Sequence, residues 1–471
     1  MTKKRLHAWT IIGATLLSLA PTLQAQGDSA ALLDALVRKK ILTLQEAEEV
    51  RAELVRENAA STAEKIKMRS SVTELSLYGD LRLRYQYDQR RTTLQPPVSD
   101  SGSLFAGHGA QRSRERFRLR LNADFKLGSN FFGGVQLQTG QAADSANQTF
   151  SGGFANYNIY ISRAFLGWKP VEGVILIGGK QENPFYTTDL VWDADINPEG
   201  IVEKVEFHEL FSAKKPWELS LVAGQFFFYD HNEDGSDNDV WLFAGQLVGS
   251  YRFANGVRVT VAPGYMTYTG GQLYGMQNET PFNNTDTVVE GASRYLSIIT
   301  APGDISFRIA GVKTRVLWDF AYNTDGNRRG TKLYGLTADL RKVRDGKGKT
   351  VGYTGAGSHS SRDNIAWLAG VQVGENKKKG DASLFFNYRQ TGLTSVDPNL
   401  NDSDFAFGQL NTQGFKVGAA YNLTDFCVIG LTYYDAWALR KGLIGGQATR
   451  DNKLAYLDKV RIFQADLNLK F

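Results

Sequence analysis

From Val72 to the C-terminus, apolar and polar residues alternate with a period of two. Over residues 75–87 the odd positions are Leu75, Leu77, Gly79, Leu81, Leu83, Tyr85 and Tyr87, and the even ones are Ser76, Tyr78, Asp80, Arg82, Arg84 and Gln86. Phe117, Leu119, Leu121, Ala123 and Phe125 alternate likewise with Arg116, Arg118, Arg120, Asn122 and Asp124. The chain closes on Phe463, Ala465, Leu467, Leu469 and Phe471 against Gln464, Asp466, Asn468 and Lys470. Successive side chains of a strand point to opposite faces, so each run reads as a strand with one greasy and one wet face. Runs fall near 72–88, 112–127, 131–142, 156–169, 173–181, 199–211, 217–230, 239–253, 256–268, 294–310, 312–323, 331–343, 363–374, 381–391, 412–423, 425–439 and 454–471.

A soluble sandwich alternates in the same way, so the period alone does not choose between a sandwich and a membrane barrel. Three features choose the barrel. Aromatic residues sit near strand ends on the apolar face (Tyr85, Tyr87, Trp168, Trp318, Tyr322, Tyr433), as in the girdles of a bilayer-spanning barrel. Short turns at 128–130, 171–173, 254–256, 311, 375–381 and 424–425 alternate with long polar loops at 88–111, 269–293, 325–362, 392–412 and 440–453. That asymmetry matches short periplasmic turns and long outer loops. Finally, the chain ends on Phe471 in the outward register. Bacterial barrels close with an even number of strands, and 331–343, rich in Lys and Arg, is the weakest of the runs. An all-β transmembrane barrel of about sixteen antiparallel strands over residues 72–471 is therefore expected, with an aqueous lumen.

Residues 1–25 read as a secretory signal peptide: Lys3, Lys4 and Arg5, then an apolar stretch over 8–20, then Leu23-Gln24-Ala25. As a membrane anchor the stretch is too short, spanning about 20 Å of a roughly 30 Å hydrocarbon core. Residues 26–71 form a periplasmic head. Between Ser29 and Lys67 it lacks Gly and Pro and carries apolar stripes (Leu32, Leu33, Leu36 and Val37, then Ala47, Val50 and Leu54), with Thr43 and Glu46 as a capping box between two helices. It reads either as a surface hairpin or as a short coiled coil that trimerises the protein or touches the cell wall. Composition refines this picture in three ways. A mean hydropathy of −0.31 excludes a helical membrane bundle. The single cysteine, Cys427, excludes a disulfide or a cysteine-rich metal site. Removing the three basic leader residues leaves a nearly balanced charge, which gives no support to nucleic-acid binding.

The inward faces carry the candidate chemistry. Arg82, Arg84, Arg116, Arg118 and Arg120 share the polar faces of two neighbouring strands, and Arg163 and Lys180 join the pore-lining set. Residues 178–200 (GGKQENPFYTTDLVWDADINPEG) do not alternate, are interrupted by Pro184 and Pro198, and carry Asp189, Asp193, Asp195 and Glu199. Folded into the barrel, this stretch would narrow the pore and oppose its carboxylates to the arginines, a fixed-charge constriction. The plainer arrangement leaves the stretch outside and pairs the arginines with Asp80, Glu115 and Asp124 across strands.

The runs 184–200, ISRAFLGW (161–168), NDSDF (401–405) and VRKKILT (37–43), with the closing Phe471, make the sequence similar over nearly the whole mature chain to the outer-membrane porin family related to phosphate-selective porins O and P. The resemblance implies a 16-stranded barrel, a homotrimer, contact with outer-membrane lipid and lipopolysaccharide of a Gram-negative-type bacterium, and passive flow of small hydrophilic solutes. It carries no phosphate selectivity, since the arginines match no ladder position by position, so an anion preference rests on their placement alone. The rival function is a structural barrel with a plugged lumen, tethering membrane to cell wall through the head.

Catalysis, metals and cofactors find no constellation. His108, His208, His231 and His359 lie near no nucleophile motif. The loop from Asp230 imitates a calcium loop, but Trp241 stands where a bidentate Glu is needed. Gly355-Ala-Gly357 lacks a third glycine and a following helix.

Overall fold

The computed structural model describes residues 39, 48, 50, 69–92, 110–150, 153–210, 216–229, 239–269, 274–277, 288–290, 295–334, 341–344, 346, 350–354, 361–440 and 457–471. The chain forms two units, Met1–Ser70 and Ser71–Phe471. In the first, Glu48 and Val50 are helical and exposed. The leader, the Thr43/Glu46 capping box and the rest of the expected helical head lie outside the described residues.

The second unit is a closed barrel of sixteen antiparallel strands. They are β1 (Val72–Thr92), β2 (Ala110–Leu127), β3 (Phe131–Gln138), β4 (Tyr160–Trp168), β5 (Val174–Lys180), β6 (Glu199–Glu206), β7 (Trp217–Tyr229), β8 (Val240–Arg252), β9 (Arg258–Val261 and Gly264–Thr269), β10 (Ser297–Thr300 and Gly303–Ile309), β11 (Val312–Asn323), β12 (Ile365–Gly374), β13 (Ala382–Thr391), β14 (Thr412–Asn422), β15 (Cys427–Ala438) and β16 (Leu457–Lys470). Each pairs with the next, and β1 pairs with β16 from Asp80↔Lys470 to Thr92↔Leu457, which leaves no edge. β9 and β10 are each interrupted at a proline, Pro263 and Pro302. Proline has no amide proton for the ladder; the two breaks lie opposite each other, and the Ala262 amide donates to the Pro302 carbonyl across them.

The weak run 331–343 is not a barrel strand. Helix Gly326–Tyr334 occupies its start, and Arg341–Arg344 pairs with Thr350–Thr354 in a separate hairpin. The expected strand 199–211 is shorter than its pattern suggested: it stops at Glu206 and the chain turns through a one-turn helix, Phe207–Leu210, beneath which His208 Nδ1 meets the Leu219 carbonyl at 3.1 Å.

The barrel is inside out by the standards of a soluble protein. Leu77, Leu83, Leu121, Ile161, Leu221, Leu384 and Leu431 are exposed on the outer face, whereas Arg84, Gln86, Gln136, Gln246, Asp319, Arg389 and Gln464 are buried on the inner one. The outer belt carries aromatic pairs, among them Phe131 stacked on Trp168 at 6.0 Å and Phe386 on Phe415 at 6.1 Å. At the closing seam the backbones of Gly79 and Phe471 exchange both hydrogen bonds, and the Phe471 ring covers the space where a Gly79 side chain would stand; a Cβ there would lie 2.8 Å from that ring and 2.5 Å from the Arg120 carbonyl oxygen. Gly79→Leu should therefore destabilise the barrel by roughly 1–3 kcal/mol through overpacking, read as a lower urea midpoint in detergent. An unchanged midpoint would show that the seam tolerates a displaced terminal ring.

Candidate functional site: the lumen and its two inner segments

Among the described residues, two connections run through the lumen, and a third, 139–150, reaches inward Arg82 and Arg116. The first, 181–198, leaves β5 and meets inward-facing side chains around most of the barrel. Tyr186 exchanges hydrogen bonds with Gln246 of β8, and its hydroxyl donates to Asp304 of β10 at 2.6 Å while accepting from Arg315 of β11 at 2.7 Å. Thr188 donates to Asp319 of β11 at 2.7 Å, and Asp189 accepts from Lys416 of β14 at 2.7 Å. Asp195 lies 3.9 Å from Arg118 and 3.7 Å from Arg120 of β2, and Asn197 accepts from Arg163 of β4 at 2.8 Å. Only a segment inside a closed barrel can touch β2, β8, β11 and β14 together.

The second, 392–411, was expected as a solvated outer loop and is instead almost wholly buried. Its carboxylates make the difference. Asp402 accepts from Arg389 of β13 at 2.7 Å, and Asp404 accepts from Arg84 of β1 at 3.1 Å and Gln464 of β16 at 3.1 Å. Phe405 and Phe407 lie under guanidinium groups: Arg389 is 4.0 Å from the first ring and Arg90 is 3.5 Å from the second. The two segments also bond to each other, since the Asp193 amide donates to the Leu400 carbonyl at 2.6 Å and the Ser403 amide to the Asp193 carboxylate at 2.8 Å.

Apolar residues explain why both stay in. Leu190, Val191, Trp192 and Ile196 of the first segment, with Leu393, Val396, Leu400 and Leu410 of the second, pack against Val202, Phe226, Leu242, Ile298, Ala321 and Leu368 of the wall. This apolar cluster packs into the lumen along β6 to β12. Across from it, β1 and β2 carry the guanidinium block. Arg82 stands opposite Arg118 and Arg84 opposite Arg116. Asp80 accepts from both Arg118 and Arg120 at 2.7 Å, and Arg84 makes a two-pronged bond to Asp466 at 2.7 and 2.9 Å. Arg82 bonds Asn147, and Arg116 bonds Gln86 and Ser145, at 3.1 and 3.5 Å. Neither has a carboxylate within 4 Å among the described residues.

The structure thus places the acidic stretch and the arginine wall together, but not residue for residue. Asp195 faces Arg118 and Arg120, whereas Asp189 faces Lys416, and Asp193 turns to the second segment. Glu199 belongs to β6 and pairs with Lys180 on the adjacent strand β5, at the root of the crossing segment. Arg163 also meets Glu182 at 3.1 Å. Of the plainer pairing, Asp80 does bond the arginines, while Asp124 accepts from Tyr78 and Glu115 points outward. Sequence reading passed over Arg90, Arg114, Arg389 and Lys416, though each follows the inward parity of its strand, and over Asp402 and Asp404, the second of which meets Arg84 from the far end of the barrel sequence. Burial opposes ionisation of Asp404, but Arg84, Arg82 and Arg116 outweigh it and hold its carboxyl below the usual range. Lys416 does the same for Asp189. Burial, with Asp402 and Asp195 nearby, pushes Asp193 well up.

Open space remains at both ends of the block. A vestibule of about 690 Å³ lies on the periplasmic half beside Ser76, Asp124, Lys126 and Phe132, and another of about 350 Å³ beside Lys204, Glu218, Arg258 and Asp304. A smaller cavity of about 160 Å³ lies on the outer half beside Arg116 and Asp404.

A closed sixteen-stranded barrel, apolar on its outer face, with connections folded into its lumen, is an outer-membrane channel of the porin type. The chain belongs to the family described as Putative porin, whose model matches residues 36–343. A comparison with curated proteins finds no match. Among solved structures, the chain is similar to OmpF of Salmonella typhi in complex with daunomycin (11% identity, 86% of this chain and 100% of that one, TM-score 0.44). It is also similar to the outer membrane channel DcaP of Acinetobacter baumannii (12% identity, 86% and 99%, TM-score 0.44) and to OmpT of Vibrio cholerae (11% identity, 86% and 100%, TM-score 0.41).

Proposed function

We propose that the protein is a passive channel for small hydrophilic solutes and ions, that it prefers anions, and that its aqueous path runs along the β1–β2 wall. One observation carries the reading: on the β1–β2 side a cavity stands beside Arg116, which among the described residues has no carboxylate in contact, whereas the apolar cluster packs against β6–β12. Arg82, Arg116, Arg118 and Arg120 line this path with Asp80 and Asp195. Arg84, Asp189 and Asp193 hold the inner segments in place, and Arg163, Lys180 and Glu199 lie toward its edge. Fixed charge in a narrow, poorly screened passage acts on ions far more strongly than on an open surface.

Reversal potential across a tenfold KCl gradient in a planar bilayer tests this. The wild-type protein should show anion selectivity, and Arg82→Gln with Arg116→Gln should shift the potential toward the cation side by tens of millivolts. A cation-selective wild type would refute the anion preference, and bilayers that never conduct would end the channel reading.

A further inference from the structure

The cavity on the outer half of the path has an unusual lining. On one side stands Arg116, a guanidinium that among the described residues meets the neutral Gln86 and Ser145 and no carboxylate. Facing the same space is Asp404, whose side chain stays one-third exposed although Arg84 and Gln464 bond it. Arg84 is shared between Asp404 and Asp466, and Asp144 is a second acidic residue of the lining. The cavity thus sets a guanidinium with no carboxylate in contact among the described residues beside a carboxylate that is partly exposed. Asn147 and Gln148 add amide groups, and Phe407 and Ile462 supply an apolar side. Arg114 also lines it, but Asp88 takes that guanidinium at 2.7 Å.

Resting on the channel reading above, we infer that this cavity is a binding site for a zwitterionic solute of the size of a small α-amino acid. Its carboxylate bonds the Arg116 guanidinium, its ammonium meets Asp404, and its short side chain lies toward Phe407 and Ile462. A guanidinium holds a carboxylate through two parallel N–H···O bonds, stronger than neutral pairs. An inorganic dianion is disfavoured, because Asp404 repels it. A simple organic cation is disfavoured by Arg116.

Titration calorimetry on the folded protein in detergent, with alanine, acetate and ethylammonium as probes, tests the site without using conductance. Alanine should bind saturably and more tightly than either half-molecule. Arg116→Gln should weaken alanine by about tenfold or more, and Arg116→Lys should restore part of the loss, because a point charge without the fork recovers only some of the contact. Asp404→Asn should abolish the preference of alanine over acetate. Glu115→Gln, which faces outward, serves as the control for folding and should bind alanine like the wild type. No saturable alanine binding, equal binding of acetate, or alanine binding unaffected by Arg116→Gln overturns the site while leaving the channel intact. Saturable alanine binding by a protein that never conducts would sink the channel reading alone.

Discussion

Leu190→Asp is expected to raise single-channel conductance severalfold while leaving the barrel folded. Leu190 is completely buried in the apolar cluster between the two inner segments and the β6–β12 wall. A carboxylate forced into that cluster finds no donor, and burying an unpaired charge costs several kcal/mol. The strands themselves are held by a closed ladder that does not need the cluster, so the cheaper response is for segment 181–198 to leave the wall. Its bonds to Lys416, Asp319 and Arg315 are then too few to hold it against the expelled side chain. The lumen widens from a one-sided passage toward the cross-section of an open sixteen-stranded barrel. Leu190→Met, which keeps the volume, should conduct like the wild type. A folded Leu190→Asp barrel with wild-type conductance would show that the apolar cluster does not restrict flow.

The second large effect falls on stability. Arg84 is almost fully buried and neutralises two carboxylates, Asp466 and Asp404, from β16 and the second inner segment. Arg84→Ala leaves both in a poorly solvated wall with no cation in contact. Breaking a buried ion pair by removing one partner costs about 3–5 kcal/mol. The pH dependence has a definite sign. In the wild type Asp404 is held below its unfolded value near 3.9, so its contribution is present above about pH 4 and is lost only as pH falls through the depressed value. In Arg84→Ala the Asp404 carboxyl loses the cation in contact with it, so the destabilisation is largest at neutral pH and shrinks on acidification toward pH 4 as Asp404 takes up a proton. Urea midpoints at pH 7 and pH 4.5 should converge between variant and wild type. A deficit that is equal at both values would mean that lost packing, not charge, carries the effect.

The barrel was legible because strand parity is a local property. Leu75 to Tyr87 displays both faces within one segment, and the exclusion of 331–343 needed only the even-number rule and the Lys and Arg of that run. The first inner segment could be read too, because Pro184, Pro198 and the lost alternation mark a stretch that cannot be wall. The second inner segment could not. Asp397, Asn399, Asn401, Asp402 and Asp404 have the composition of a hydrated loop, and nothing nearby distinguishes them from one. What buries them is the meeting of Asp402 with Arg389 and of Asp404 with Arg84 and Gln464, which depends on three-dimensional closure. Leu393, Val396 and Leu400, spaced among those polar residues, were the one local sign that the stretch had an apolar side to hide. Likewise Glu199 looked like part of the acidic stretch but is claimed by the ladder of β6, where backbone pairing with Lys180 takes precedence over composition.

The apolar cluster in the lumen gives the two halves of one cylinder different freedoms. Where the cluster lies against β6 to β12, an inward substitution is a packing problem, answerable only by a residue of matching shape. Along β1 and β2 an inward substitution is a charge problem, answerable only by a residue that leaves no carboxylate buried without its cation. A barrel built this way holds its inner segments by shape on one side and by charge on the other, and each side tolerates only its own kind of exchange.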